Sequence, residues 1–333
     1  MTRTTPSRPV DIEAQFPELA AYRRTGTRLH PRPGTPEAAD SSVGGPLLWP
    51  ADEPWPECSV PHERNTGRRM GDIHRWRHIM DESEHRSPEP GLTDIEQETL
   101  TSLEQEHHVE GLRDTDPTPL LPLAQLYTKD IPGLTAPDGC DLLQILWCPF
   151  DAHGFPRTPG VHLKWRKASE RRELLTEPPS PAVVGDAGYV PEPCVLHPEE
   201  VQEHEYLGLL DDELRERIEE WDEASEEADD DAPLYQYDLS IPPGWKVGGF
   251  ASWHVTDPHP MVCDCGTPMQ VLVTIASSEW DGGNRSWVPV EDRDALNVRG
   301  ASTPTKVLVG RSGSLRIFTC PADPRHEHKV NLQ

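Results

Sequence analysis

The chain has 333 residues, and its 58 acidic side chains against 31 lysines and arginines give it a formal charge of -27. A charge this negative argues against general binding to nucleic acid or to an anionic membrane, because both would repel the protein at long range. No apolar run is long enough to cross a membrane, and the first residues lack the apolar stretch of a secretory signal, so we expect a cytoplasmic protein.

The cysteine and tryptophan counts are informative. Seven cysteines are an odd number in a chain large enough to fold without cystines, which favours free thiols or metal ligands over disulfides. Ten tryptophans against five phenylalanines are expected to fill the core, with the alternative that a minority of them lines a ligand surface.

The N-terminal region, 1–42, is predicted to hold a helix and a connector. Apolar residues from Ile12 to Tyr22 recur at spacings of three and four, which indicates a short helix there or one that begins at Pro17. The following segment, 42–55, combines a glycine pair with prolines. We interpret it as a rigid, extended edge and not as a central strand.

The polar segment 63–118 is predicted to be a helical insertion, with Thr93 as the N-cap of its second helix and Glu96 or Gln97 as the capping partner. We expect the arginines at its start to pair with the acidic helix described next: Arg64, Arg68, Arg69, Arg75 and Arg77. Contact of these arginines with phosphate is the alternative. Three short runs after the insertion are predicted to form a meander of strands: Pro119–Leu126, Asp141–Cys148 and Gly160–Trp165.

The region 171–240 is predicted to be a Pro-rich linker followed by an acidic helix. Apolar residues from Leu207 to Trp221 recur at helical spacing, so we expect the helix to run to about Ala224. Seventeen acidic residues and two arginines between Glu199 and Asp231 contribute -15 of the formal charge. We interpret this run as a solvated surface, with a cation site or partner site as the alternative.

Two parts of the chain, 43–170 and 241–333, share a pattern that predicts an internal duplication. In each, a glycine pair precedes a tryptophan at the same offset, at Trp49 and at Trp253. One cysteine follows the tryptophan, and a second cysteine follows a later strand. The interval between the two cysteines is 90 residues in the first copy and 57 in the second, and the longer interval contains the helical insertion.

These segments resemble the YwqG-like family, a group of bacterial proteins classed as a domain of unknown function. The resemblance covers about two-thirds of the chain and is carried by five motifs: VGGPLLWP (Val43–Pro50), PLAQL (Pro122–Leu126), KVGGFASW (Lys246–Trp253), CDCGTPMQVLVTI (Cys263–Ile275) and SGSLRIFTCP (Ser312–Pro321).

The resemblance implies an actinobacterial-type member with insertions and a duplicated α+β fold with largely antiparallel sheets. It implies no reaction. Two features depart from the family pattern: Thr274 stands where the pattern has glutamine, and Cys263 and Cys265 form a C-x-C pair where the pattern has C-x-x-C.

The second copy carries the stronger metal signal. Two thiols on a turn, a third at the end of a strand and imidazoles on the exit loop are ligands that tetrahedral zinc accepts: Cys263, Cys265, Cys320, His326 and His328. This set predicts a structural zinc site, and buried free thiols with surface histidines are the alternative.

The first copy carries a similar set: Cys58, His62, Cys148 and His153. It is interpreted as a second metal site or as a remnant whose thiols pack as small hydrophobic groups. If it is open to solvent, it is the better catalytic candidate, because a catalytic zinc needs an unfilled position.

No nucleophile elbow, phosphate-binding loop or metalloprotease helix occurs in the sequence. We therefore expect a protein that binds another protein or a small ligand, with a contact cleft between the copies rimmed by Trp49, Trp55 and Trp253. The alternative is a metal-dependent hydrolase that uses the first Cys/His set. The expected fold is α+β, with two related, mainly antiparallel β repeats packed together, a helical insertion and an acidic connecting helix.

Overall fold

The computed structural model describes residues 2–86, 91–154, 157–169 and 173–333. Within them the strands are β1 (Arg23–Arg28), β2 (Arg32–Pro33), β3 (Ser42–Val43), β4 (Glu57–Cys58), β5 (Thr66–Gly67), β6 (His107–His108), β7 (Thr118–Pro119), β8 (Leu121–Tyr127), β9 (Leu142–Trp147), β10 (Val161–Arg166), β11 (Cys194–Val195), β12 (Glu199–His204), β13 (Lys246–Gly248), β14 (Gln270–Ala276), β15 (Ser314–Thr319) and β16 (Lys329–Leu332).

The α-helices are α1 (Ile12–Gln15), α2 (Met70–His85), α3 (Asp94–Leu103) and α4 (Asp212–Ala228). Short 3-10 helices cover Pro17–Tyr22, Ala187–Tyr189, Leu207–Leu209, Arg285–Trp287 and Val290–Ala295, and a π-helical turn covers Tyr235–Ser240. No helix in the described ranges combines the length and the apolar character needed to cross a bilayer.

The fold is α+β, as expected, and it is built on two six-stranded antiparallel sheets. The first sheet has the order β10-β9-β8-β3-β11-β2, and the second has the order β12-β1-β13-β14-β15-β16. The strands β8, β9 and β10 form the predicted meander. The prediction of an extended edge over 42–55 is wrong for its first residues, because β3 lies between β8 and β11.

Regions predicted as connectors supply strands to both sheets. The region 1–42 contributes β1 to the second sheet and β2 to the first, and the region 171–240 contributes β11 to the first sheet and β12 to the second. These strands carry little local pattern, since β1 reads RRTGTR and β2 and β11 have two residues each. Their pairing partners lie far away in the chain, where local sequence gives no signal.

The main hydrophobic core draws on both sheets and includes Ile145, Trp147, Val273 and Ile317, all fully buried. Because side chains alternate along a strand, the residues between these positions point to the opposite face of each sheet. On that face of the second sheet a polar row crosses neighbouring strands: Lys246, Thr274, Arg316 and Asn331. A polar row also crosses neighbouring strands β3, β8, β9 and β10 of the first sheet: Ser42, Gln125, Gln144 and Lys164.

The helices pack outside the sheets. Thr93 caps α3 in a complete capping box with Glu96, which confirms the predicted start of that helix. Pro17 opens the 3-10 helix Pro17–Tyr22, as its fixed φ favours. A separate small core joins the N-terminal segment to α4 through Ile12, Phe16, Leu19, Leu214 and Ile218.

Candidate metal centres

The first Cys/His set converges, although its members come from two separate parts of the chain. Cys58 ends β4, His62 lies in the following loop, and Cys148 and His153 follow β9. The Cys58 sulfur lies 3.3 Å from His62 Nε2 and 3.6 Å from His153 Nε2, and the Cys148 sulfur lies 3.4 Å from His62 Nε2. All four ligand atoms lie within 4.8 Å of one another.

These separations match the edges of a zinc tetrahedron. With Zn–S near 2.3 Å and Zn–N near 2.0 Å, a tetrahedral site has edges of about 3.5 Å between sulfur and nitrogen and about 3.8 Å between sulfurs. The three measured contacts lie within about 0.2 Å of the first value. The four side chains can therefore hold a tetrahedral metal ion without large rearrangement.

Neighbouring groups fix the first cluster's ligands. The Nδ1–H of His62 donates to the backbone oxygen of Glu63 at 2.8 Å, which leaves the Nε2 lone pair free to bind a metal. The buried Arg64 donates to the backbone oxygen of Cys58 at 3.0 Å and also binds the backbone oxygens of Val60 and Asp116. The predicted pairing of Arg64 with the acidic helix is therefore wrong, since Arg64 holds the ligand loop instead.

The two thiols of the first cluster differ in proton affinity. The hydrogen bond with Cys148 lowers the pKa of Cys58 to about 3, and hydrogen bonds with His153 and His62 act in the same direction. The same bond, together with burial, raises the pKa of Cys148. Cys58 is therefore the more acidic thiol of the pair, and metal binding would displace the proton of Cys148.

The second set converges as well, with one member different from the prediction. The Cys263 sulfur lies 3.4 Å from His326 Nδ1, and the Cys265 sulfur lies 3.6 Å from the Cys320 sulfur. The four ligand atoms lie within 4.8 Å of one another. His328 does not belong to this group, because its side chain is directed toward the backbone of Val161.

The turn that carries the C-x-C pair is closed by backbone hydrogen bonds from Gly266 N to Cys263 O at 2.8 Å and from Cys263 N to Thr267 O at 2.9 Å. A hydrogen bond with the Thr267 hydroxyl is the main cause that lowers the pKa of Cys265 to about 6. Hydrogen bonds with Cys320 and then Cys265 raise the pKa of His326. Cys265 and His326 are exposed, so this cluster lies at the surface.

The tryptophans predicted to rim a cleft lie elsewhere. Trp49 is 2% exposed and packs against Trp55, with ring centroids 5.0 Å apart, in a small core that also contains Cys58 and Cys148. Trp253 is 5% exposed and lies in a different small core with Cys263 and Cys320. Trp49 and Trp253 thus belong to the two separate small cores that contain the buried cysteines of the clusters, and they do not present a shared surface.

Two features of the sites were missed from the sequence. In the sequence Arg64 is one of several arginines, and no local pattern indicates that it is buried and binds the backbone of the ligand loop. Gly160 packs against the His153 ring so closely that an added Cβ would lie 3.0 Å from its Cε1 and Nδ1 atoms. A glycine directly after a proline gives no such signal, since the contact arises only from the folded loop.

No protein-family model matches the chain, and no curated protein matches it at a significant level. The class of the protein is therefore defined by its α+β fold with two antiparallel sheets and by two Cys/His clusters able to hold a metal ion.

Proposed function

We propose that the chain is a cytoplasmic, internally duplicated YwqG-like protein that binds a protein or a small ligand, with a structural zinc ion in each Cys/His cluster. The observation that carries the zinc assignment is the convergence, in both clusters, of four ligand atoms within 4.8 Å of one another. Unrelated side chains rarely meet in this way, and here it happens twice with the ligand types that zinc prefers.

The donor sets support zinc over harder cations. The first cluster offers two thiols and two imidazoles, and the second offers three thiols and one imidazole. Thiolate and imidazole ligands in fours are typical of structural zinc, whereas calcium and magnesium require oxygen ligands. Four protein ligands fill a tetrahedral shell, which argues against the hydrolase alternative because a catalytic zinc keeps one position for water.

The duplication is supported by the two sheet orders, since β10-β9-β8-β3 in the first sheet corresponds to β16-β15-β14-β13 in the second. The two remaining strands of each sheet also correspond. The strand beside β3 is β11, and the strand beside β13 is β1, so in each sheet this strand comes from the opposite half of the chain. Equivalent residues occupy the small cores that contain the buried cysteines of the clusters: Trp49, Cys58, Leu146 and Cys148 in the first, and Trp253, Cys263, Phe318 and Cys320 in the second. A single ancestral unit with one metal site would produce this arrangement.

The YwqG-like assignment itself rests on the five sequence motifs. The glycine pairs and tryptophans of those motifs lie at corresponding places in the proposed repeats, at the ends of β3 and β13. The cysteines of these motifs belong to the second Cys/His cluster, where a bound metal would occupy their thiols, so a binding role fits the motifs better than a reaction does.

The test is metal analysis of protein purified without a His tag. We expect about two equivalents of zinc per chain, one for each four-ligand cluster. Less than about a tenth of an equivalent would overturn the zinc assignment. The hydrolase alternative predicts zinc-dependent hydrolysis of model esters that is lost in Cys58→Ser, and we expect no such activity.

A further inference from the structure

The face of the second sheet that points away from the main core lines a cavity of about 470 Å³, which shares no residue with either Cys/His cluster. The polar row of β13, β14 and β15 forms its floor, and the loops 241–244 and 311–314 form part of its wall. A volume of this size suits a metabolite-sized ligand.

A buried arginine lies at the floor of this cavity. Arg316 is only 1% exposed, and it donates hydrogen bonds to two neutral oxygens, Ser252 Oγ at 2.6 Å and Asn331 Oδ1 at 3.5 Å. Among the residues the structure describes, no carboxylate forms an ion pair with it, and burial alone lowers the pKa of its guanidinium. An arginine stays protonated at neutral pH, so a positive charge is buried here with no paired carboxylate in the described part of the chain.

The other charges around the cavity do not neutralise Arg316. Lys246 is paired with Glu203, whose carboxylate oxygen lies 2.5 Å from the lysine nitrogen, and it also donates to the backbone oxygen of Phe250 at 2.8 Å. His254 has its pKa lowered by burial and then by Arg316. The acidic residue of the lining is Asp281, which is exposed in a turn.

On the corresponding face of the first sheet, Gln125 shows how the chain can pair a buried polar side chain with its own groups. There the Gln125 side chain accepts from Leu48 N at 2.7 Å and from Gln144 Nε2 at 2.9 Å, and it donates to the backbone oxygen of Ala38 at 2.8 Å. In the second sheet the buried Thr274 hydroxyl, at the position equivalent to Gln125, has no hydrogen-bond partner within the described residues. The chain thus pairs Gln125 with backbone groups and with Gln144, whereas the Thr274 hydroxyl faces a cavity.

We propose that this cavity binds a small organic anion, with its carboxylate or phosphate group held by Arg316 and the Thr274 hydroxyl. The body of the ligand contacts Ile241 and Phe250, and the half-exposed Tyr237 stands at the mouth. Guanidinium is the side-chain group best suited to oxyanions, because its donors form a planar fork. This inference specifies the ligand class for the proposed binding function and is independent of the zinc assignment.

The experiment titrates the whole protein with inorganic phosphate, and in a parallel arm with succinate, and follows the Nε–H signal of Arg316 by NMR together with calorimetry. Chloride at matched ionic strength is the reference for non-specific screening. Two variants are compared with the wild-type protein. Arg316→Met keeps the apolar part of the side chain and removes the charge, whereas Arg316→Lys keeps the charge but lacks the planar guanidinium group. The matched control is Arg299→Met, an exposed arginine that lines a different groove.

We expect saturable binding of at least one probe, weakened about tenfold or more in Arg316→Met, weakened less in Arg316→Lys and unchanged in Arg299→Met. The stronger probe identifies the ligand as a phosphate ester or a carboxylic acid. Absence of saturable binding of both probes to the wild-type protein, or equal binding by Arg316→Met, would overturn the proposal. Circular dichroism and thermal melting of the same samples separate loss of this site from loss of the fold, whether or not zinc is bound.

Discussion

The Cys58 sulfur lies 3.6 Å from Nε2 of His153, although 95 residues separate them in the chain. Two successive strand pairings bring these residues together. β4 pairs with β7, with Cys58 opposite Thr118; β7 leads almost directly into β8, and β8 pairs with β9, whose end carries the other two ligands. The metal cluster therefore depends on the sheet, and a bound zinc ion would in return tie the segment that leads into the helical insertion to the end of β9.

The first prediction separates a ligand thiol from an ordinary buried thiol. Cys148→Ser should release about one of two zinc equivalents and destabilise the metal-loaded protein by more than about 3 kcal/mol, because loss of a ligand opens the site. Zinc analysis and urea unfolding measure both effects.

The control for that experiment is Cys194→Ser, since Cys194 is equally buried but lies in the main core, with its thiol directed to Pro304 O at 3.5 Å. Cys194→Ser should keep both zinc equivalents. Equal zinc loss in the two variants would show that Cys148 acts only through packing.

The second prediction concerns the buried ion pair between Lys246 and Glu203. Lys246→Met should lower the free energy of unfolding by about 3–5 kcal/mol, because it leaves an unpaired carboxylate in the interior. The double variant with Glu203→Gln should recover more than half of the loss. Lys164→Met, which breaks a more exposed pair with Glu53, should cost less than about 1 kcal/mol, and a similar cost in both lysine variants would contradict the interpretation.

The third prediction is a pH dependence at Asp222. Burial is the main cause that raises the pKa of Asp222 to about 6 from the ordinary 3.8, so the folded protein holds this proton more tightly than the unfolded chain does. The ionised carboxylate is therefore unfavourable in the folded state, and this cost appears as the pH rises from about 4 to about 6.

Asp222→Asn should stabilise the protein by about 1 kcal/mol above pH 6, after allowance for solvent screening, and should have no effect near pH 4. Thermal unfolding across this pH range measures the difference. Glu220→Gln, an exposed acid on the same helix, is the control and should show no such pH dependence. A constant difference between Asp222→Asn and wild type at every pH would refute the prediction.

The fourth prediction tests the second glycine pair. Gly249 has a φ of +69°, and an added Cβ would lie 2.3 Å from a carboxylate oxygen of the buried Glu203. Gly249→Ala should therefore cost more than about 3 kcal/mol, from backbone strain and from displacement of a buried charge. Gly139→Ala has a similar φ of +79° but open space, and it should cost about 1 kcal/mol. Calorimetric melting measures the loss of stability in both variants. Equal losses would show that the positive φ alone explains why position 249 is glycine.

Local signals predicted the elements that depend on local interactions. The capping box at Thr93 requires only residues three apart, and the meander of β8, β9 and β10 requires only alternating side chains and turns. The strand β1 was missed because its partners, β12 and β13, lie more than 170 residues later in the chain. The candidate ligands were identified because cysteine and histidine are rare and chemically distinctive, whereas the role of Arg64 required knowledge of the loop that it binds.

The sequence by itself determined the α+β class and the set of thiols and imidazoles available to a metal. Only the tertiary structure decided that His326 and not His328 joins the second cluster, and that Trp49 and Trp253 lie in the small cores that contain the buried cysteines of the clusters. It also decided that Arg316 is buried with no carboxylate of the described residues paired to it. The physical reason is that ligand identity is a property of single residues. Convergence and desolvation are instead properties of strands and loops that meet across long separations in the chain.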